Sequence, residues 1–403
     1  MREVSGRGLV FDDRGALGIT GAVGIRAGGA PARIGVLYGG PSPEHDVSIL
    51  TGLQVVRGLV GATSIGEVHS LYWTKQGEFY EVPLGLEASA FVSGLPQGAS
   101  LLKVVVGAGG GFVARRGGRF SAKEEPIELD AVLVSCHGGP GEDGSLQGVL
   151  DLIGVPYTGP SVAGAMLGMD KLAFSAVAAS AWLQMLPRIG LSEASPEPTF
   201  EGPYIVKPRF GGSSIGIEVV ADFATARARL KANPHLRRGA VIEQYLAELY
   251  DLQIAVRLWP EAQLSAIERP LRATGGGEIL GYADKYVGPE GMTTAPRELP
   301  ARIAPELERQ LRTVATEVAY LVGVRGVARI DFLSDGEALY VNEVNTIPGS
   351  LARHLWIDPP VPFTSLLIDL LGEAIARPAT NLSAAGADGS VLRGAGLISG
   401  KLG

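Results

Sequence analysis

The sequence predicts an α/β fold that begins with an open, mainly parallel sheet and continues into smaller mixed units. Short apolar runs alternate with segments of helical periodicity, and several of the runs end in glycine. The chain is also long, since 403 residues with 46% hydrophobic content exceed the usual size of one domain. Two or three domains are therefore expected.

The first domain starts where the periodicity sharpens, at Arg33. The segment RIGVLYGG is typical of a buried strand that ends in glycines, and Asp46 is expected to cap the helix that follows. VHSLYWT and AVLVSCHG are further strand candidates, and Ser145 is expected to cap a second helix. Ligands usually bind beyond the strand ends of an open sheet, so the loops after these strands are candidate site loops.

Shifts in composition predict the domain boundaries. We expect a flexible extension over residues 1–31, an N-terminal α/β domain over 32–157, smaller units over 158–245 and 246–378, and a mobile tail over 379–403. The extension and the tail are rich in glycine and alanine and have weak periodicity.

Composition also excludes several classes of protein. A net charge of -7 gives no broad basic surface for nucleic acid or an anionic membrane. The single cysteine, Cys136, rules out an internal disulfide framework, and its apolar surroundings favour a buried strand thiol. No apolar stretch is typical of a spanning helix or a secretory signal, so a cytoplasmic enzyme is expected.

The most informative segment is KPRFGGSSIG, which begins at Lys207. A strand leads into a loop of small residues, whose backbone N–H groups can approach a phosphate closely. It is not a Walker A loop, because no Lys-Ser or Lys-Thr follows the second glycine. Glycine and serine also dominate ordinary turns, but the lysine that enters this loop favours phosphate binding.

A second segment, RIDFLSDGEALYVNEVN, places polar side chains on two successive strands. Arg329 and Asp331 share one strand face, and Glu343 and Asn345 share a face of the next. These faces coincide if the connecting loop has an odd number of residues, which we expect. Two carboxylates and an amide oxygen suit Mg²⁺, although a solvated face with an ordinary ion pair is the alternative.

Two residues upstream are candidates for binding an amino acid. Glu44 lies just before a helix N-terminus, where the dipole favours its charged form and suits it to hold an ammonium group. His137 follows a strand at the start of HGGPGEDG, a position typical of ligand contacts. Taken alone, Glu44 is equally well explained as a capping acid, and His137 as a hydrogen-bonding loop histidine.

Together the motifs resemble those of D-alanine–D-alanine ligases, a family of the ATP-grasp superfamily. They occur in the same order as in that family: GGPSPEHDVS, HGGPGEDGSLQGVLDLIGVPYTGP, MDKLAFS, YIVKPRFGGSSIG, VIEQYL, GYADKY and ARIDF with NEVNTIPG. The resemblance covers roughly Arg33 to Pro378. It implies an ATP-grasp fold, with its central and C-terminal subdomains over 158–245 and 246–378, and a ligase that uses ATP and Mg²⁺, or Mn²⁺ in its place.

The resemblance also implies roles for single residues. The nucleotide would be bound by Lys171, Lys207, Ser214, Glu243, Asp251 and Lys285. The metal would be held by Asp331, Glu343 and Asn345. The first amino acid would meet Glu44 and His137. Ser213 and Tyr286 would join Glu44 in a hydrogen-bonded set that closes a loop over the site. Arg329, with backbone N–H near Gly349, would stabilise the tetrahedral oxyanion.

The match departs from the family around the second substrate. Where the family has a Ser-Leu pair that binds the second carboxylate, His354 takes the place of the serine. Ser350 and Trp356 also differ from the usual pattern, and Gly211 replaces the usual glutamate before Gly-Ser-Ser. The acceptor is therefore either the same D-alanine in a rebuilt pocket or a different amino acid.

The expected activity is ATP-dependent ligation of two D-alanines through an acyl phosphate, for peptidoglycan precursor synthesis. Lys285 and Tyr286 resemble the form of the closing loop that accepts amino acids rather than hydroxy acids. The alternatives are a related ligase with another acceptor, and a nucleotide-binding protein that has lost catalysis. A homodimer, with small amino acids as the substrates, is implied by the resemblance.

Overall fold

The computed structural model describes residues 32–107, 109–116, 123–271, 296–380 and 383–395. The expectations for residues 1–31, and those for Lys285 and Tyr286, lie outside these ranges. The strands are β1 (Ala32–Gly39), β2 (Ile65–Trp73), β3 (Phe79–Val82), β4 (Ser100–Val105), β5 (Gly111–Arg116), β6 (Lys123–Ile127), β7 (Ala131–Val134), β8 (Arg188–Leu191), β9 (Tyr204–Pro208), β10 (Glu218–Val220), β11 (Ala240–Gln244), β12 (Tyr250–Arg257), β13 (Gln263–Pro270), β14 (Arg297–Glu298), β15 (Val327–Ser334) and β16 (Leu339–Asn345).

The helices are α1 (His45–Leu59), α2 (Ser145–Ile153), α3 (Val162–Met169), α4 (Lys171–Ser180), α5 (Phe223–Ala232), α6 (Pro305–Val322), α7 (Phe363–Ala376) and α8 (Ser390–Arg393). Short 3₁₀ turns span Ala88–Phe91, Gly139–Gly141, Pro234–Arg238 and Gly349–Leu355. In the described ranges, no helix is both long enough and apolar enough to cross a membrane.

The expected α/β fold is confirmed, with one correction: the N-terminal sheet is mixed rather than mainly parallel. Its order is β6-β5-β4-β3-β2-β1-β7, and β1 pairs in parallel with β2 and β7. The pairs from β2 to β6 are antiparallel. Parallel pairing needs a long crossover, which α1 supplies between β1 and β2. Short connections join β2 to β3 and β4 through β5 to β6, and such connections allow only antiparallel neighbours. A longer stretch with the 3₁₀ turn Ala88–Phe91 joins β3 to β4, which also pair antiparallel.

Helix α1 begins at His45, so Asp46 is not its N-cap as expected. Glu44 occupies the N-cap position, yet its side chain makes no capping hydrogen bond, and Asp46 lies in the first turn. In helix α2 the N-cap is Gly144, and the expected cap Ser145 is instead the first helical residue. The Glu44 carboxylate is directed across the cleft instead, as described below.

A four-stranded sheet of order β10-β9-β11-β8 follows, and then a five-stranded sheet of order β14-β13-β12-β15-β16. The five-stranded sheet carries the polar faces expected from the sequence, but by another route. Four residues connect β15 to β16, an even number, and a register shift next to Asp331 restores the alignment. Arg329 therefore faces Asn345, and Asp331 faces Glu343, as expected.

The largest apolar core packs helix α7 against the N-terminal sheet. Helix α7 packs its Leu366, Leu367 and Leu370 into the same apolar cluster as β1, β7 and α1. Cys136 belongs to this cluster and is fully buried, as its sequence context predicted. The 3₁₀ turn Gly349–Leu355, which lies just before α7, belongs to the same cluster and is therefore fixed against the N-terminal sheet.

Candidate active site

Two adjoining cavities lie between the sheets. The nucleotide cavity, as we name it, has an apolar end formed by Leu186, Ile205, Ile217, Leu246, Leu249 and Leu333. Its polar end is formed by Lys171, Lys207, Ser214, Glu243, Asp251, Asp331 and Glu343. An apolar slot beside paired cations and carboxylates matches a planar base joined to a chain of phosphates.

Lys207 reaches this cavity from β9 as part of a buried ion-pair cluster. Its Nζ donates to Glu243 Oε2 at 2.7 Å, and Arg188 Nε donates to Glu243 Oε1 at 2.6 Å. The side chains are only 7%, 2% and 3% exposed, for Lys207, Glu243 and Arg188 respectively. Burial opposes ionisation of Glu243, but the two cations outweigh it and hold its pKa at about 2. Glu243 thus fixes the position of the lysine.

Lys171, at the start of α4, forms the boundary between the two cavities. Its Nζ donates to the Gly211 carbonyl at 2.6 Å and lies 3.6 Å from Glu343 Oε2. Burial lowers the pKa of this lysine, and the nearby Glu343 carboxylate opposes that shift. The Gly-Ser-Ser loop next to it holds Ser213 and Ser214 in the left-handed region, with φ of 53° and 58°. Consecutive left-handed residues are unusual for serine and are common at ligand-binding loops.

A row of polar side chains crosses the five-stranded sheet, and each member faces the next on the neighbouring strand. Glu343 faces Asp331, Asp331 faces Gln253, and Gln253 faces Glu268. At one end, Asn345 Nδ2 donates to Asp331 Oδ2 at 3.2 Å, which leaves the amide oxygen for another partner. We call this set the cross-strand row.

The metal-binding residues expected from the sequence lie together at the Glu343 end of this row. Asp331 also accepts two hydrogen bonds from the Arg329 guanidinium, with Nε–Oδ1 and Nη2–Oδ2 distances of 2.7 and 2.8 Å. Within the described residues, no three His, Cys, Asp or Glu side chains are arranged as a metal site. Two carboxylates and one amide oxygen nevertheless fit a cation such as Mg²⁺ that takes its other ligands from phosphate and water.

The second cavity, which we call the amino-acid cavity, adjoins the first and shares Lys171, Gly211, Gly212, Gln253 and Glu343 with it. Glu44, at the N-terminus of α1, lines this cavity and accepts a hydrogen bond from Ser213 Oγ. Two glycines allow this approach, since a Cβ on Gly138 or Gly212 would lie 2.2 or 3.1 Å from Glu44 Oε2. The Glu44–Ser213 contact expected from the resemblance is present.

His137 lines the amino-acid cavity, but both of its ring nitrogens are already bonded to protein. Nδ1 lies 2.7 Å from the Ile347 carbonyl, and Nε2 lies 2.8 Å from Thr51 Oγ1. Burial lowers the pKa of His137 to about 4, so the ring is neutral and Nδ1 carries the proton. Thr51 then donates to Nε2 and accepts from the Ser350 N–H at 3.0 Å.

Glu142 ties the same two chain segments together. It accepts from the N–H groups of Gly138 at 3.0 Å and Ile347 at 2.9 Å, and from Thr346 Oγ1 at 3.3 Å. Burial, together with the nearby Glu44 carboxylate, raises the pKa of Glu142 to about 7 despite these hydrogen bonds. Sequence analysis quoted its motif without assigning this residue a role.

The turn Gly349–Leu355 has an unusual backbone. Ser350, Leu351 and Ala352 all adopt left-handed conformations, with φ of 48°, 51° and 51°. Such a conformation costs a non-glycine residue roughly 1–2 kcal/mol. The hydrogen bond from Ser350 to Thr51 described above, and one from Leu351 N–H to Pro348 at 2.8 Å, hold the turn in place. Gly349, at its start, lines the amino-acid cavity.

His354, at the end of this turn, is part of a second charged cluster. Its Nε2 lies 3.0 Å from Glu268 Oε2, and Arg297 Nη1 lies 3.0 Å from Glu268 Oε1. All three residues line the amino-acid cavity. Trp356 does not line it, because it is 3% exposed and packs in the core, with Arg257 over its ring. Of the three unusual positions, only His354 contributes a side chain to the cavity lining.

The structure thus brings the described candidate residues to two cavities with a common wall. Sequence analysis missed Thr51, Arg188, Gln253 and Glu268, which act through other side chains. They come from a helix face or from strands without a motif. A buried charged residue in an apolar strand, such as Glu268 in SAIERP, was the one available signal.

Comparison with known proteins identifies the family of the chain. Models of the D-ala D-ala ligase N-terminus and C-terminus match residues 33–160 and 166–371. The chain is 30% identical to a D-alanine–D-alanine ligase of Bradyrhizobium sp. (strain ORS 278) over 86% of this chain and 96% of the relative. It is 31% identical to a D-alanine–D-alanine ligase of Chlorobium limicola, over 86% of this chain and 97% of the relative.

The fold is also that of solved structures. The crystal structure of the D-alanine–D-alanine ligase from Helicobacter pylori superposes with a TM-score of 0.65 at 23% identity, over 87% of this chain and 100% of the other. At that identity the likeness speaks for the fold. Together with the sequence matches, it places the chain in the D-alanine–D-alanine ligase family of ADP-forming ATP-grasp ligases.

Proposed function

We propose that the chain joins two D-alanines at the expense of ATP and so supplies D-alanyl-D-alanine for peptidoglycan synthesis. The observation that carries this proposal is the shared wall of the two cavities. A phosphate at the polar end of the nucleotide cavity and a carboxylate in the amino-acid cavity would meet at Lys171 and Glu343. Phosphoryl transfer depends mainly on such positioning and on charge neutralisation.

In the first step, Glu44 binds the ammonium group of the first D-alanine, and its carboxylate turns towards the shared wall. Lys171 and Lys207 neutralise the phosphate charge while that carboxylate attacks the γ-phosphate to give an acyl phosphate and ADP. The Glu243 carboxylate holds the Lys207 side chain in place. Ser214 and Asp251 complete the nucleotide contacts. The roles of Lys285 and Tyr286, which lie outside the described residues, rest on the family resemblance alone.

Asp331, Glu343 and Asn345 would hold Mg²⁺. When bound, this ion neutralises negative charge on the phosphate oxygens and orients them. The donor set supports the choice, because each of the three offers oxygen and they meet at one end of the cross-strand row. The Arg329 guanidinium, paired with Asp331, lines the amino-acid cavity together with Gly349.

In the second step, an amine attacks the acyl phosphate carbon and phosphate leaves. Arg329 and the backbone N–H near Gly349 stabilise the negative oxygen of the tetrahedral intermediate. A donor of this kind contributes on the order of 10²–10³ in rate. His137 contributes by position rather than by direct contact, since its ring nitrogens are bonded to Ile347 and Thr51.

A second candidate function is ligation of D-alanine to a different amino acid. One observation favours it: His354 and Glu268 place an acid–base pair where the family has a serine. Specificity between small side chains is worth only about 1–3 kcal/mol per methylene, so a changed pocket can change the acceptor.

Release of ADP by the purified protein with Mg²⁺-ATP tests both functions. D-alanine would be offered alone and in pairs with other D- and L-amino acids, and the products identified by mass. We expect D-alanyl-D-alanine, with loss of turnover after chelation and its return on adding Mg²⁺. Turnover with another pair but not with D-alanine alone would support the second function, and ATP binding without any turnover would contradict both.

We further propose that the enzyme is a homodimer and that its domains span 32–157, 158–245 and 246–378. The three sheets support this division, since each lies within one of these ranges. Light scattering would test the dimer, which a monomeric mass would contradict. Limited proteolysis would test the boundaries: the protease should cut near residues 157 and 245 earlier than within any of the three sheets.

A further inference from the structure

We propose that His354 is the base that removes a proton from the second substrate's ammonium group, and that Glu268 is the residue that positions it. This inference rests on the proposed ligase function and deepens it. It assigns a catalytic role to the position at which the chain departs most clearly from its family.

The geometry of the pair is that of an oriented base. Glu268 has a side chain only 5% exposed, and it accepts from His354 Nε2 at 3.0 Å. Because a carboxylate only accepts, Nε2 carries the proton and a neutral ring keeps its lone pair on Nδ1. Nδ1 makes no hydrogen bond within the described ranges, and the ring, 28% exposed, lines the amino-acid cavity. A base oriented by a buried acid follows the same logic as the histidine of a catalytic triad.

The reaction needs such a group. An amino acid enters as an ammonium ion, which has no lone pair and cannot attack the acyl phosphate. The other candidates along the cavity are engaged: both ring nitrogens of His137 are bonded, Glu142 accepts three hydrogen bonds, and Glu44 accepts from Ser213. His354 offers an acceptor nitrogen to the cavity itself.

The proton balance can be written in full. Nδ1 of His354 takes one proton from the ammonium group, and the amine nitrogen forms its bond to the acyl carbon. The C–O bond to phosphate then breaks, and the departing phosphate takes the second proton from the nitrogen. The products are an amide, hydrogen phosphate and an imidazolium ion, which returns its proton to solvent. Among the described residues, the other charged side chains that line the cavity with His354 are Glu44, Glu142, Lys171, Glu268, Arg297, Arg329 and Glu343.

The decisive experiment uses hydroxylamine as a replacement for the second amino acid. Hydroxylamine is a much weaker base than an α-amino group, so it reaches the site uncharged and needs no proton acceptor before it attacks. We expect His354→Ser, which restores the family residue, to lower kcat for dipeptide formation by about 10²–10⁴. Hydroxamate formation from D-alanine and hydroxylamine should persist in the same variant.

The pH profile separates a base from an anchor for the acceptor carboxylate. A base works as neutral imidazole, so kcat should fall as pH is lowered. An anchor works as imidazolium, so KM for the second substrate should instead rise as pH is raised. In Glu268→Gln, kcat for dipeptide formation should drop while hydroxamate formation persists, because the ring loses the carboxylate that orients it. A KM effect confined to high pH would overturn the proposal.

A matched control is His69→Ser, which also removes a carboxylate-paired histidine, 2.8 Å from Glu81, but outside both cavities. It should leave both reactions unchanged. Equal losses of dipeptide and hydroxamate in His354→Ser would overturn the base role, and His354→Asn provides the same comparison if the serine variant does not fold. A wild-type protein that forms neither product from D-alanine would contradict the ligase function itself, and with it this inference.

Discussion

The two ends of the active-site cleft are built in different ways. At the nucleotide end, Lys207 and Arg188 are fixed by one buried carboxylate, Glu243, and the arrangement depends on charge. At the acceptor end, the turn that begins at Gly349 is fixed by neutral hydrogen bonds through Thr51 and His137. A site for phosphates, which vary little, can rely on permanent ion pairs. The acceptor end instead depends on backbone shape, which sequence changes alter more readily.

The largest effect is expected from removing the charge at the nucleotide end. Glu243→Gln leaves the buried Arg188 and Lys207 cations without their common counterion, so the free energy of unfolding should fall by about 3–5 kcal/mol. Urea denaturation followed by circular dichroism measures it. The control is Glu306→Gln, which breaks an exposed pair with Arg309 and should leave the free energy of unfolding nearly unchanged. Equal effects would mean that the nucleotide end does not depend on charge.

At the acceptor end, two buried titratable groups, His137 and Glu142, should make the stability of the protein depend on pH. The pKa of His137 is about 4 when folded and 6.5 ordinarily, so the unfolded chain binds more protons between these values and stability rises with pH there. The pKa of Glu142 is about 7 when folded and 4.5 ordinarily, so the folded chain binds more protons and stability falls with rising pH. In the wild type the two slopes oppose each other.

Glu142→Gln should remove the falling slope and expose the rising one. We expect the free energy of unfolding of this variant to increase by about 3 kcal/mol relative to wild type as pH rises from 4.5 to 7. Urea titrations at several pH values would show it. A difference between the variants that does not change with pH would mean that Glu142 is ionised throughout this range when folded.

The smallest effect concerns the backbone of the acceptor turn. Ala352→Gly relieves a left-handed conformation worth roughly 1–2 kcal/mol but adds flexibility worth roughly 0.5–1 kcal/mol in the unfolded chain. Stability should therefore be unchanged or rise by up to about 1.5 kcal/mol. Ala315→Gly, equally buried but within α6, should instead lose about 1 kcal/mol. Thermal unfolding of both variants compares them, and equal losses would contradict strain at Ala352.

Much of the site could be predicted from the sequence, because motifs keep catalytic side chains on regular strands. Asp331 and Glu343 were expected to converge, since alternation along a strand determines which side chains share a face. The means of convergence was not predictable: an even loop and a register shift replaced the expected odd loop. A bulge has no sequence signature as clear as that of a glycine turn.

Residues that act through others were the hardest to predict. Arg188 and Glu268 come from strands far along the chain from the side chains they fix, and only the folded sheets reveal the pairing. The left-handed turn was missed for a related reason. Serine, leucine and alanine do not favour that conformation, so tertiary hydrogen bonds such as the one from the Ser350 N–H to Thr51 must enforce it.

The cross-strand row has a consequence for engineering. Gln253, an uncharged amide, stands between Asp331 and Glu268, so the carboxylate of the metal end and that of the acceptor end do not face each other directly. A library for acceptor specificity would therefore vary Arg297, which lines the amino-acid cavity, and keep His354 and Glu268, which the proposed proton transfer needs. Directed evolution towards new dipeptides would best begin on the acceptor side of that amide and leave Gln253 itself intact.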